Sequence, residues 1–225
     1  MDVAVVTVGD ELLAGETENT NASWLGRRLT ARGATVQRML VLPDDKRAID
    51  DAIAAYASDF DAVVVTGGVG PTHDDVTLDG VAEAFDLAMV EHEDVVVWFD
   101  EHAEYSRQDL VTGTMDLPEG ARMIPNDEGV APGAIVENVY VLPGVPDEMR
   151  AMFDRVAGDF EGTRLTTEVV HSDAPESSLI DVISEVNDRF DVRVGSYPND
   201  GVRLKLTAAD PEEVRDAAAW LRQRV

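Results

Sequence analysis

The chain has 225 residues, no cysteine, and 45 Asp and Glu against 18 Lys and Arg, a formal net charge of −27. Disulfides, thiolate metal sites and a cysteine nucleophile are therefore excluded, and any metal must sit on oxygen or imidazole. Only Lys46 and Lys205 are lysines, so the clustered positive charge that nucleic-acid binding needs is missing.

The acidic residues lie among regular apolar periodicities rather than in one tail. That pattern points to a folded protein of a high-salt cytoplasm, where screening offsets self-repulsion; the alternative is a field that attracts basic partners. No apolar run approaches the roughly 18 residues of a membrane helix. The start, MDVAVVTVGDELL, enters a strand-like run without the features of a signal peptide, which places the expected protein in the cytoplasm.

Val3 to Val8 reads as a short buried strand, followed by the turn Gly9-Asp10. In TNASWLGRRLTARG, Ala22, Leu25 and Leu29 share a helical face, with Thr20 or Asn21 as N-cap and Gly33 as the stop. Thr35 to Leu42 is a second strand, and Asp44 is expected to cap a helix carrying Ile49, Ile53 and Tyr56. Ala62 to Thr66 is a third strand, and a glycine loop separates it from a helix over 75–85. Alternating strands and helices predict an α/β fold, a doubly wound and mostly parallel sheet.

Further along, a helix is predicted over 91–106 and strands over 121–124 and 134–142, the last bending at Glu137-Asn138 as a hairpin; LPGVPDEM then opens a helix near Asp147. A boundary near Gly162 divides the chain into domains 1–162 and 163–225. In the second, a strand over 164–171, a helix over 177–190, strands over 192–196 and 202–208 and a helix over 211–225 form a small α+β unit.

Ligands of open parallel sheets bind beyond the carboxyl ends of the strands. Two polar glycine loops fall there, VGDELLAGETENTN and TGGVGPTHDD. Gly67, Gly68 and Gly70 allow close backbone approach, so the loop and the helix after it can hold an anion; equally, the glycines can form a tight turn while Asp74 and Asp75 cap the helix. The loop is neither GxxxxGK[ST] nor GxGxxG, and no lysine follows it. A phosphate beside Asp74 and Asp75 is repelled unless a cation lies between. Mg²⁺ or another hard cation accepts one or two carboxylates and completes its shell with water and phosphate oxygens.

Asp10 or Glu11 at the neighbouring strand end then adds a ligand or orients an attacking water. His73 has no second histidine at metal spacing and reads as an ordinary loop residue. Asn19, Thr20 and Asn21 either cap their helix or bind a sugar or heterocycle. In NDEGVAPGAIVENVYVLPGVPDEM, Gly129, Gly133, Gly144 and Glu148 belong either to turns around a hairpin or to a wall of the pocket.

Four motifs in order, GDELLAGETENTNASWL, VVTGGVGPTHDDVT, PNDEGVAPGA and LPGVPDEM, resemble the amino-terminal region of the CinA (competence-damage-inducible) family, a branch of the molybdopterin-binding fold shared with MogA and MoaB. Residues 163–225 resemble the small domain that follows in that family; its carboxyl-terminal deamidase domain has no counterpart in these residues, so that activity is not expected.

The resemblance implies a phosphate-bearing ligand. Either a divalent-metal-dependent pyrophosphatase (Mg²⁺, Mn²⁺ or Co²⁺) splits ADP-ribose, or a pterin phosphate, molybdopterin, is bound for molybdenum-cofactor biosynthesis. A non-catalytic nucleotide-binding module is the third reading. On the first, Gly9, Asn19, Asn21, Thr66, Gly67, Gly68, Gly70, Pro71, Thr72, Gly129, Gly133, Gly144 and Glu148 are expected to bind the ligand. Asp74 and Asp75 are expected to hold the metal, with Asp10, Glu11 and Asp75 catalytic. A homo-oligomer, dimer or trimer, is also implied. Val130 replaces the threonine of the family's GTAPG stretch and removes a hydroxyl there.

Overall fold

Residues 1–70, 72, 74–102 and 115–225 are described by the computed structural model, in which Met1–Gly162 and Thr163–Val225 form two separate units. The first runs β1 (Asp2–Val8), α1 (Asp10–Leu13), α2 (Thr20–Ala31), β2 (Thr35–Leu42), α3 (Lys46–Asp59), β3 (Ala62–Thr66) and α4 (Thr77–Ala84). It continues through β4 (Met89–Glu91), α5 (Glu93–His102), β5 (Asp116–Pro118), β6 (Arg122–Ile124), β7 (Gly133–Val136), β8 (Val139–Leu142) and α6 (Pro146–Val156).

The main sheet has the order β2-β1-β3-β8-β7-β6. The first four strands are parallel, and the last two turn back as antiparallel neighbours. Every residue of β1 from Val3 to Val8 and of β3 from Ala62 to Thr66 is buried, because helices cover both faces and side chains alternate between them. Val3, Val5, Ala62 and Val64 pack into one core with Leu25, Leu29 and Phe153; Ala4, Val6, Val63 and Val65 pack into the other with Ile49, Ile53 and Val81. Asn138 ties the sheet to α3 by donating to the carbonyls of Ala57 and Phe60, each at 3.0 Å.

Several helix ends differ from the sequence expectation. Asn19 rather than Thr20 or Asn21 caps α2, accepting from the Ala22 amide. Asp45 rather than Asp44 caps α3: its extended backbone lets its carboxylate meet the Ala48 amide. With that role filled, Asp44 faces the Asp10 amide instead. Neither Asp74 nor Asp75 caps α4, which begins at Thr77 with no side-chain cap. The expected helix over 91–106 is observed as Glu93–His102, and its later residues lie outside the described ones. The short antiparallel pair β4–β5 has no counterpart in the sequence reading.

The second unit contains β9 (Thr166–Ser172), α7 (Ile180–Arg189), β10 (Arg193–Asn199), β11 (Gly201–Ala208) and α8 (Pro211–Arg222). Its sheet has the order β10-β11-β9, antiparallel throughout, and one face packs Val202, Leu204 and Leu206 against Val186, Val214 and Leu221. The helix expected from Ser177 starts at Ile180, after a single 3₁₀ turn over Glu176–Ser178.

Candidate functional site

After β1 the chain crosses to β2 on one side, and after β2 it returns to β3 on the other, so strand order reverses between β1 and β3. A cavity of about 320 Å³ opens at the carboxyl ends of these two strands. Crossovers leaving in opposite directions separate there and leave a crevice.

Uncharged side chains build its floor. Asn19 caps α2 with its Oδ1 and donates from Nδ2 to Thr7 Oγ1 at 2.8 Å, binding the helix to the end of β1. Asn21, the second residue of the same helix, donates to the Gly144 carbonyl at 2.7 Å and approaches Thr66 Oγ1 at 3.4 Å. Its Oδ1 is buried with no partner among the described residues. A buried amide oxygen without a donor costs free energy, and this one borders the cavity, where a ligand donor can satisfy it.

Thr66 donates in turn to the Pro143 carbonyl at 2.6 Å, so the ends of β3 and β8 are joined through one hydroxyl. Thr77, fully buried, donates to the Gly67 carbonyl at 2.8 Å and does not line the cavity.

Gly67 has φ +102, and a Cβ there would stand 2.1 Å from the Val8 carbonyl oxygen. Glycine is thus required for β1 and β3 to end side by side. Its N–H is already used by the Leu142 carbonyl, as the Gly9 N–H is by that of Leu42. These two glycines supply close approach rather than a free donor, in contrast to the anion cradle expected of Gly67. Gly144 belongs to the same junction: a Cβ on it would stand 3.3 Å from the Gly67 Cα.

Acids form the rim. Glu11, Glu18, Asp44, Asp74 and Asp75 line the cavity, and among the described residues no basic side chain does. Burial raises the carboxyl of Asp44 above the ordinary aspartate range; the Asp10 amide, donating at 2.9 Å, partly offsets this, and the negative charges of Asp10, Glu11 and Asp74 add to the rise. Glu11 folds back over Gly9, whose missing side chain leaves room for the carboxylate: a Cβ would stand 2.5 Å from Oε1. Asp75 faces inward to its own loop, accepting from the amide and hydroxyl of Thr72. Among the described residues no three acid or imidazole side chains converge as a preformed cage for a bare ion.

Of the residues expected at the site, the cavity brings together Gly9, Glu11, Asn19, Asn21, Thr66, Gly67, Gly68, Asp74, Asp75 and Gly144. Asp10, Gly70 and Thr72 do not line it: Asp10 acts through its amide, and Gly70 and Thr72 shape the turn around Asp75. Pro71 and His73 lie outside the described residues.

Gly129, Gly133 and Glu148 are also absent from the lining. Glu148 accepts from the buried Asn126 at 2.7 Å, and a Cβ on Gly129 would stand 2.3 Å from its carboxylate. A Cβ on Gly133 would stand 2.4 Å from the Val141 carbonyl. These three therefore hold a turn and a hairpin, and Val130 packs on the apolar core. Thr7, Glu18 and Asp44 are among the lining residues not expected from the sequence; for Asp44 the adjacent acid pair Asp44-Asp45, with only one cap to fill, was the available signal.

This architecture defines an α/β domain with a mostly parallel sheet and a candidate site at its switch point. Residues 4–161 match the family described as "Probable molybdopterin binding domain", and the chain belongs to that family. Residues 164–225 match a second family, described as "FAD synthase, middle domain".

A protein of Archaeoglobus fulgidus is 37% identical over 219 residues, covering 96% of this chain and 95% of its own length. A CinA-like protein of Citrifermentans bemidjiense is 34% identical across 100% of this chain, which spans 58% of that relative's length. The crystal structure of a CinA protein from Thermoplasma acidophilum superposes with a TM-score of 0.65 at 35% identity, over 72% of this chain and 99% of that one. The chain is thus CinA-like, as its four motifs imply.

Proposed function

We propose that the switch-point cavity binds a nucleotide diphosphate together with a divalent cation and hydrolyses it, with ADP-ribose as the substrate. The observation that carries this reading is the rim: five carboxylates and no basic side chain among the described lining residues. A phosphorylated ligand placed there needs positive charge that the described residues do not supply. The donor set fits a hard cation that takes one or two carboxylates and fills its shell with water and phosphate oxygens, a mode that needs no preformed cage of three protein ligands. Asp44 and Asp74 are the ligands this reading favours, with Asp75 held in place by Thr72.

When bound, the cation would offset phosphate charge and lower the pKa of a coordinated water. The protein's own part is positional. Glu11 accepts the proton as a water oxygen bonds to one phosphorus and the bridging oxygen leaves with the other phosphate, yielding AMP and ribose 5-phosphate. Asn21 orients the ligand through its unpartnered Oδ1, an acceptor suited to a hydroxyl or a ring N–H. The Gly67–Gly68 backbone allows the diphosphate to approach the strand ends.

Incubation with ADP-ribose and Mg²⁺, Mn²⁺ or Co²⁺ at high salt, with chromatography for AMP, tests the reading. Release of AMP that fails in Glu11→Gln supports it, and no AMP with any of the three metals overturns it. The family description favours a second reading, a pterin phosphate bound at the same cavity for molybdenum-cofactor biosynthesis. Tight pterin binding without nucleotide turnover selects that alternative; nucleotide binding without turnover selects a non-catalytic module. Sedimentation of the purified chain tests the dimer or trimer expected alongside either.

A further inference from the structure

The outer face of the small sheet differs in composition from the rest of this acidic chain. In β11, Val202, Leu204 and Leu206 are buried, so Arg203, Lys205 and Thr207 point the other way. Strand register carries that side across the sheet. Tyr197, Arg203 and His171 form one cross-strand row, Gly195, Lys205 and Val169 the next, and Arg193, Thr207 and Thr167 the third.

None of these residues is acidic and three are cationic, in a chain of net charge −27. Among the described residues the ion pairs of this unit are Arg215–Glu212 and Arg222–Glu168, so Arg193, Arg203 and Lys205 are left out of them. An acidic protein has carboxylates in abundance to pair with exposed cations, yet this face carries none.

Tyr197 gives the face a second character. A Cβ on Gly195 would stand 2.9 Å from the tyrosine ring, so the ring lies down over the glycine, and the residue remains 45% exposed. The Arg203 guanidinium sits 5.2 Å from the ring centroid. Beside them is a cavity of about 300 Å³ lined by His171, Tyr197, Arg203 and the turn residues Pro198, Asp200 and Gly201. Asp200 is the one carboxylate there, on the hairpin turn rather than on the face.

We propose that this cavity is a second ligand site, for a mononucleotide: its heterocycle stacks on Tyr197 and its phosphate is held by Arg203, with Lys205 outside the lining but in the next row of the same face. Cations alone would suit any polyanion. A recumbent aromatic ring beside an arginine fork, in a cavity near the lower end of small-ligand sites, selects an aromatic phosphate.

The test is titration calorimetry of the full chain with AMP in EDTA and 0.5 M KCl, which withholds the cation that the other cavity would use. One saturable event is expected. Arg203→Gln and Tyr197→Leu should each weaken it at least tenfold with unchanged melting, since both side chains point away from the core. Adenosine and ribose 5-phosphate should each bind at least tenfold more weakly than AMP, and Asn21→Ala, in the other cavity, should leave binding unchanged.

Absence of saturable binding, indifference to both variants, or loss in Asn21→Ala overturns the proposal. So does a change in sedimentation in Arg203→Gln, which would mark the face as a contact between copies of the chain. An oligonucleotide binding more than tenfold tighter than AMP overturns the assignment to a free nucleotide.

Discussion

Replacing Gly67 by alanine probes the junction on which the cavity is built. The residue has φ +102, outside the region that L side chains normally occupy, and holding a non-glycine residue there costs about 1–3 kcal/mol. The added Cβ also meets the Val8 carbonyl oxygen at 2.1 Å. That oxygen is backbone at the end of β1, fixed between β2 and β3, so relief requires the strand ends to part, at a cost of about 1–3 kcal/mol typical of overpacking. The sum is roughly 2–6 kcal/mol, and at about 2–4 °C per kcal/mol for a protein of this size the melting temperature should fall by about 10 °C.

Gly15 is the matched control: its φ is +74, but a Cβ there meets nothing within 4 Å, so Gly15→Ala should cost only about 1–2 kcal/mol. Thermal denaturation followed by circular dichroism at fixed high salt compares the two. Melting of Gly67→Ala within about 2 °C of Gly15→Ala would mean that close approach of β1 and β3 is not what demands glycine. Well below its melting point, Gly67→Ala should also lose nucleotide binding at the switch-point cavity.

Asp44→Asn should separate stability from cation binding. The folded state raises the Asp44 carboxyl, so its ionisation opposes folding at neutral pH, and the amide keeps an acceptor for the Asp10 N–H. Without divalent ions the variant should melt at the same temperature or slightly higher, by up to about 1 kcal/mol for a part-exposed group. Its stabilisation by Mn²⁺ in 1 M KCl should disappear; a lower melting point in EDTA with an intact Mn²⁺ response would contradict this.

Tyr140 donates to Asp159 Oδ2 at 3.2 Å, and burial first, then the Asp159 charge, raise its pKa above the ordinary value of about 10. The folded chain therefore holds this proton more tightly than the unfolded chain. The contribution is complete below pH of about 10 and is lost as pH rises through the higher folded value, so wild type should lose melting temperature in that window more steeply than Tyr140→Phe. Finally, with a net charge of −27, raising KCl from about 0.1 to 2 M should increase the melting temperature, and a flat or falling response would oppose the high-salt reading.

Much of the fold was legible because it depends on local pattern. The apolar runs of β1 and β3 mark strands buried on both faces, and the alternation with amphipathic helices leaves few topologies besides a doubly wound sheet. Glycine loops at strand ends pointed to the position of the cavity for the same reason. Assignments that involved a choice between neighbours were less legible. Asn19, Thr20 and Asn21 are all competent caps, and so are Asp44 and Asp45; backbone angles at the helix entrance selected Asn19 and Asp45.

That selection determined the chemistry of the cavity, since the aspartate left over became one of its rim carboxylates. Gly129, Gly133 and Glu148 have the composition of a binding loop, but the structure uses their space for Asn126, the Val141 carbonyl and each other. Element types, family and the two loops that meet at the switch point follow from residues near one another along the chain. Which carboxylates share the cavity, which glycine N–H groups are already used and which face of the small sheet is basic were decided only in three dimensions. Each depends on distances between residues far apart in sequence, and those distances are set by packing.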